Sequence, residues 1–293
     1  MDGFYFNNTS QDQSYNHRNI TSNYKEYNEF DITDVVTCII IAISLPLTLV
    51  AIYSLYSMVR SDHVAPIYLI NLLITDVLQF CCMIVDVAPN VDENIYFIFY
   101  CIYFSALFAS VYFMVCIALE RYLVIAHPLW YHSRRTIKTS VAVCVLVWIL
   151  SLVCAFLIFF SGVLIRYIIF PILLLPPFPL LIFFLVGTLK ALSATISVRS
   201  DEKRRIVGIL VLVLLIYTLL FLPRIIWCLK VFNDNTLLLE DLRLNSLSFI
   251  FVRFSPVADL FLYVFMRKGT IDKLLASVCC CRMNSNDISS PSV

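Results

Sequence analysis

Charged side chains are scarce in this chain. Asp, Glu, Lys and Arg make up 14% of its 293 residues and hydrophobic residues 61%, against about 25% and about 45–50% in an ordinary soluble domain. That balance excludes a water-soluble fold and is the composition of a membrane protein. A basic excess is missing too. The formal charge is only +1, so the chain lacks the clustered cationic face of a nucleic-acid binder, and no nucleic acid is expected as a partner. No internal repeat is present of the kind that builds transporters from inverted halves. The four histidines are dispersed, with no His-x-x-x-His or Gly-x-Ser-x-Gly arrangement, so no enzyme activity is expected.

What the chain has is long uncharged runs. A helix needs about 20 mostly apolar residues to cross a hydrocarbon core of about 30 Å. Residues 35–59, 94–119, 139–165 and 167–189 contain no Asp, Glu, Lys or Arg. Residues 64–89, 206–229 and 244–266 are also long enough, though interrupted by Asp76 and Asp86, by Arg224, and by Arg253 and Asp259. The sequence therefore predicts an all-α membrane protein, a bundle of seven spans over residues 34–266. The division of 139–190 into two helices rests on Ser161, Gly162, Arg166 and Pro171.

The connections set the topology. Arg60, Arg134, Arg135, Lys138, Lys190, Arg199, Lys203, Arg204, Arg205, Arg267, Lys268, Lys273 and Arg282 fall on one side, while the other holds the acidic pairs Asp92/Glu93 and Glu240/Asp241. The positive-inside bias makes the first side cytoplasmic and the N-terminus extracellular, as expected for a multi-pass protein of the plasma membrane. Residues 1–33 form a polar tail with no apolar core of a cleaved signal peptide. Glycosylation patterns at Asn7, Asn8 and Asn19 suit an extracellular position. At the other end, Ile271, Leu274, Leu275 and Val278 repeat at helical spacing, so residues 267–281 are expected to lie as an amphipathic helix on the inner membrane surface. Cys279, Cys280 and Cys281 would then sit at the lipid boundary as acylation sites, the alternative being a metal cluster. Residues 282–293 complete a cytoplasmic tail.

Seven spans with "ERY" closing the third (Glu120, Arg121, Tyr122), "HPL" six residues after Arg121, "NLLITD" in the second, Trp148 in the fourth and Pro223 in the sixth resemble the rhodopsin-like (class A) G-protein-coupled receptors. Within that class, "RYLVIAHPLWY", "EKRRI" and "VADLFLYVF" are most similar to the proton-sensing and lysolipid-like branch. The resemblance implies a receptor that senses an extracellular small ligand and activates a heterotrimeric G protein. Arg121 would meet the inserted G-protein helix after the sixth helix swings outward, with Glu120 pairing to it at rest, and Tyr122, Tyr263, Pro223 and Phe221 would belong to the same machinery. The bland alternative is an interfacial Arg121 snorkelling to lipid head groups. A receptor with constitutive or lost signalling is a further reading.

The resemblance also implies a midplane polar pocket at Asp76, Ser110 and Asp259, with a sodium ion as allosteric ligand and no other cofactor. Oxygen ligands suit such a hard cation, and two carboxylates without an ion would instead share a proton. Arg224, Arg253 and Asp86 map toward the ligand pocket. The expectation is that Arg224, with Arg253 or alone, binds a carboxylate or phosphate by charge-assisted hydrogen bonds. The alternative is a structural Asp86–Arg253 ion pair.

Several positions depart from the pattern. Tyr96 stands where relatives carry the Cys of a disulfide, and residues 155–227 contain no Cys. Thr48 replaces an Asn, Phe221 a Trp, Leu260 a Pro and Leu185 a Tyr. Pro256 is expected to move the seventh-helix kink outward by about one turn. With no histidine except His17 on the outer side, a proton response would have to use buried carboxylates.

Overall fold

The computed structural model describes residues 32–60, 67–129, 131, 137–194, 200–234 and 239–266. Among them, helices α1 (Ile32–Arg60), α2 (Ile67–Val87), α3 (Glu93–Ala126) and α4 (Ile137–Phe160) form the first four spans. The fifth span joins α5 (Val163–Leu174) to α6 (Pro177–Ala194), and the sixth is α7 (Ser200–Asp234). The seventh joins α8 (Leu239–Arg253) to α9 (Ser255–Met266). The chain is thus a seven-helix membrane bundle. Helix is the form that pairs every backbone group within its own segment, which lipid requires.

The breaks have local causes. The fourth and fifth spans separate at Ser161–Gly162, while Arg166 and Pro171, read from the sequence as part of that boundary, lie inside α5. Pro176 and Pro177 then end α5, because proline lacks the donor a continuing helix needs. They leave the Leu174 carbonyl without its usual helical partner, since Phe178 N–H bonds to Leu175. The Tyr217 hydroxyl of α7 donates to that carbonyl and ties the fifth span to the sixth. The seventh span breaks at Phe254, two residues before Pro256, whose ring would collide with the carbonyl four residues back. The break lies six residues, nearly two turns, before Leu260, displaced in the direction expected from the sequence.

Helix α3 is the central post. It is 72% buried over its most apolar stretch, against 28% for α1, and it packs on α2, α4, α6 and α7. Lipid supplies no hydrophobic drive between helices, so close packing through small residues matters more than in water. Ser105, Ala106, Ala109, Ser110 and Ala118 of α3 are all buried. Helix α9 closes the bundle against α1, α2 and α7. The outward faces stay apolar, as at Val50, Phe156 and Phe160, all exposed where lipid would lie.

The N-terminal tail with Asn7, Asn8, Asn19 and His17, the segment from Arg267 with Cys279, Cys280 and Cys281, and Arg134, Arg135 and His132 lie outside the described residues.

Candidate functional site

At one end of α3, Glu120 and Arg121 do not pair with each other. Adjacent helical positions point about 100° apart, so i and i+1 do not face each other. Glu120 instead accepts a 2.6 Å hydrogen bond from the Tyr131 hydroxyl. This corrects the expected Glu120–Arg121 pair. Arg121 is half-buried, and its Nε has no hydrogen-bond partner. Tyr122 turns the other way and packs on Phe183 and Phe184 of α6, with ring centroids 5.8 and 5.7 Å away. Gly187 makes room for it: a Cβ there would lie 2.6 Å from the Tyr122 ring. Nearby, Arg205 at the start of α7 donates to the carbonyl of Met266, the last residue of α9. Tyr263 is buried on α9, and Phe221 is fully buried in α7 with its ring 5.1 Å from that of Tyr217. Pro223 lies inside α7 just beyond it.

Deeper in the bundle, Asp76, Ser110 and Asp259 come together from α2, α3 and α9, each fully buried. Ser110 Oγ donates to Asp259 Oδ2 at 3.0 Å. The two carboxyl groups are close enough to act on one another. Both oxygens of Asp76 and Oδ1 of Asp259 lack hydrogen-bond partners. Buried polar atoms are normally satisfied, so three orphaned carboxylate oxygens and a serine hydroxyl form a donor set that fits a small hard cation such as sodium. Ser255, one turn before Asp259 on α9, adds a buried hydroxyl without a partner. The sequence reading misses it, although its i, i+4 spacing from Asp259 is there to read.

Toward the opposite end, a polar chain links four helices. Arg253 of α8 donates to Asp86 of α2 and to Thr37 of α1, and Tyr96 of α3 donates to the same carboxylate at 3.0 Å. Arg253 and Asp86 form an ion pair, Arg253 being 7% exposed. This is the structural pair weighed as the alternative above, and it leaves Arg253 no free charge for an anionic ligand. The cleft between Asp86, Tyr96, Tyr100, Tyr103, Phe249 and Arg253 measures about 50 Å³, room for a few waters and well below the size of ordinary ligand pockets. Tyr96, at the position where the resemblance implies a disulfide cysteine, thus makes a hydrogen bond. Among the described residues every cysteine is free.

Arg224 sits apart from that pair. Its Nη1 donates to Asn245 Oδ1 at 2.5 Å and to Ser248 Oγ at 3.2 Å, both neutral acceptors on α8. Its guanidinium lies 4.6 Å from the Trp227 ring, 5.4 Å from Phe249 and 5.8 Å from Phe170. Such aromatic faces stabilise a cation without cancelling its charge. Arg166 is the second residue the sequence reading misses: taken there as a span boundary, it lies one turn before Phe170 on the same face of α5.

Comparisons with known proteins agree with this geometry. Residues 47–167, which include Asp76, Ser110 and Glu120 to Tyr122, match the model of the seven-transmembrane receptors of the rhodopsin family. G-protein coupled receptor 68 of Mus musculus is 28% identical over 121 residues, covering 39% of this chain and 33% of that protein. Mas-related G-protein coupled receptor member X2 of Mus musculus is 28% identical over 153 residues, covering 47% and 43%. Proteinase-activated receptor 2 of Homo sapiens is 26% identical over 125 residues, covering 40% and 31%. The matched part is therefore less than half of each relative's length. Seven spans, the Asp76–Ser110–Asp259 cluster and the matched segment together make the chain similar to the rhodopsin family of seven-transmembrane receptors, a family of receptors rather than enzymes.

Proposed function

We propose that this chain is a plasma-membrane receptor, N-terminus outside, that binds an extracellular small ligand carrying an anionic group and activates a heterotrimeric G protein. The observation that carries the reading is Arg121. It stands half-buried at the cation-rich end of the central helix, and its Nε has no partner. A guanidinium so placed offers a ready donor to carbonyls of a docking helix. The contact from Arg205 to Met266 holds the start of α7 against the end of α9, so outward movement of α7 must break it before that end opens. Ligand recognition falls to Arg224, which faces only neutral acceptors and rings.

Asp76, Ser110, Asp259 and Ser255 would hold a sodium ion, which supplies the positive charge that two buried carboxylates otherwise lack. Without the ion these residues must take up a proton between them or open to water. A cation here therefore favours the closed packing of α2, α3 and α9.

The receptor in nanodiscs, mixed with a panel of heterotrimers and apyrase, is expected to retain at least one in a nucleotide-sensitive complex. Arg121→Ala is expected to lose it. Retention of no heterotrimer by the folded parent overturns the reading.

A further inference from the structure

The Arg224 region holds a second guanidinium that neither the family match nor the coupling machinery explains. Arg166 of α5 and Arg224 of α7 sit on helices packed directly together. Phe170, one helical turn from Arg166, is 5.8 Å from the Arg224 guanidinium. Tyr167, the neighbour of Arg166, packs edge-on against Trp227 with centroids 5.5 Å apart, and Trp227 lies 4.6 Å under Arg224. Tyr100 of α3 lies within the electrostatic reach of both arginines. Arg224 thus lies against an aromatic wall built from α3, α5 and α7, and Arg166, with its Nε buried, enters the same region from α5, near enough for its charge to act on Tyr100.

The charges at this wall do not balance. Guanidinium stays ionised at any accessible pH. Among the described residues no carboxylate lies within ion-pair distance of Arg166 or Arg224, whereas Arg253 has Asp86. Arg224 at least has Asn245 and Ser248, but Arg166 Nε is buried with no hydrogen-bond partner. A charge held in the membrane region is costly, and a buried donor left unmade adds to that cost. Two uncompensated positive charges and an orphaned donor over one aromatic wall match a ligand with two negative charges, several acceptor oxygens and an attached flat or apolar body.

We propose that Arg166 and Arg224 form a two-guanidinium seat for a phosphate-monoester group, with the body of the ligand stacked on the half-buried Tyr100 and Tyr167. A phosphate monoester carries nearly two charges and three acceptor oxygens near neutral pH, and planar guanidinium forks match it bidentately. A carboxylate would satisfy one arginine and leave the other. This deepens the reading of Arg224 as the ligand anchor and rests on it.

Phenyl phosphate is the probe, and methyl phenyl phosphate, a monoanionic diester of nearly the same shape, is its control. Binding is read from the thermal midpoint of the purified receptor in nanodiscs at constant ionic strength. The parent is expected to bind the monoester about tenfold more tightly than the diester, a preference worth about 1.4 kcal/mol. Arg166→Gln is expected to keep diester binding and lose that preference, and Arg166→Lys to restore most of it. Arg224→Gln is expected to bind neither. A preference that survives in Arg166→Gln, or a parent that binds both compounds equally, overturns the two-arginine seat while leaving the anion reading of Arg224 standing. A folded parent that binds neither compound overturns both. If Arg166→Gln fails to fold, the parent's own ratio and Arg166→Lys still decide: equal binding of the two esters by the parent rejects the seat.

Discussion

The two ends of the bundle solve the same problem, charge near lipid, in opposite ways. At the Asp86 end a carboxylate, a guanidinium, a tyrosine and a threonine satisfy one another across α1, α2, α3 and α8. At the Glu120 end, Tyr131 takes up Glu120, while Arg121 Nε is left without an acceptor. A closed network makes a rigid frame, whereas a poised donor makes a docking point. The difference teaches where this chain departs from the pattern it resembles. It has no disulfide among its described residues, yet it holds the first turn of α3 through Tyr96 and Asp86, and it keeps the tripeptide at the other end of the same helix.

Breaking the frame should give the largest effect. Asp86→Asn strands Arg253 at 7% exposure, and removing one partner of a buried pair costs about 3–5 kcal/mol. Because Asp86 itself is 25% exposed, a loss nearer about 2–3 kcal/mol is expected in thermal unfolding of the purified protein. The double variant Asp86→Asn/Arg253→Gln should recover part of it, and simple additivity would show that the pair does not hold the frame.

The midplane cluster comes next. Sodium at about five times its dissociation constant should stabilise the parent by about 1 kcal/mol over an impermeant organic cation at equal ionic strength. Asp76→Asn should abolish that difference. An equal response of parent and variant to sodium would remove the ion from this site.

At the Glu120 end, Gly187→Ala forces a Cβ to within 2.6 Å of the Tyr122 ring. Because the contact is with the edge of a ring that can turn, about 1 kcal/mol of destabilisation is expected. Pairing Gly187→Ala with Tyr122→Ala should cancel most of it, as a double-mutant cycle will show.

The smallest effect sharpens the frame at the Asp86 end. Tyr96→Phe removes a single 3.0 Å hydrogen bond and should cost about 0.5–1.5 kcal/mol. A larger loss would mean that the hydroxyl bears more of the frame than one bond allows.

Much of the fold is legible because lipid imposes its own grammar. Four uncharged runs and three long apolar runs with one or two charges each mark seven spans, Pro256 places the break in the seventh, and Ser161–Gly162 separates the fourth from the fifth. The residues most costly to bury, Asp76, Asp259, Arg224 and Arg253, are visible for the same reason. What sequence spacing does not carry is which side chain across the bundle compensates each charge, since helix rotation and tilt follow from packing. Hence spacing alone leaves Asp86 between ligand and Arg253, assigns Glu120 to its neighbour instead of Tyr131, and gives no sign of the contact between Gly187 and Tyr122. Arg166 is visible as a charge between two uncharged runs, but its use as a boundary marker hides the cost of holding it inside a helix.

Guanine-nucleotide exchange on a reconstituted heterotrimer, measured for the parent, Arg121→Ala and Arg224→Gln side by side, tests the division between the two ends most directly. Arg121→Ala is expected to fall to the rate of the heterotrimer alone with its thermal midpoint unchanged, while Arg224→Gln keeps the basal rate and loses any rise with phenyl phosphate. A parent-like rate in folded Arg121→Ala would contradict the account.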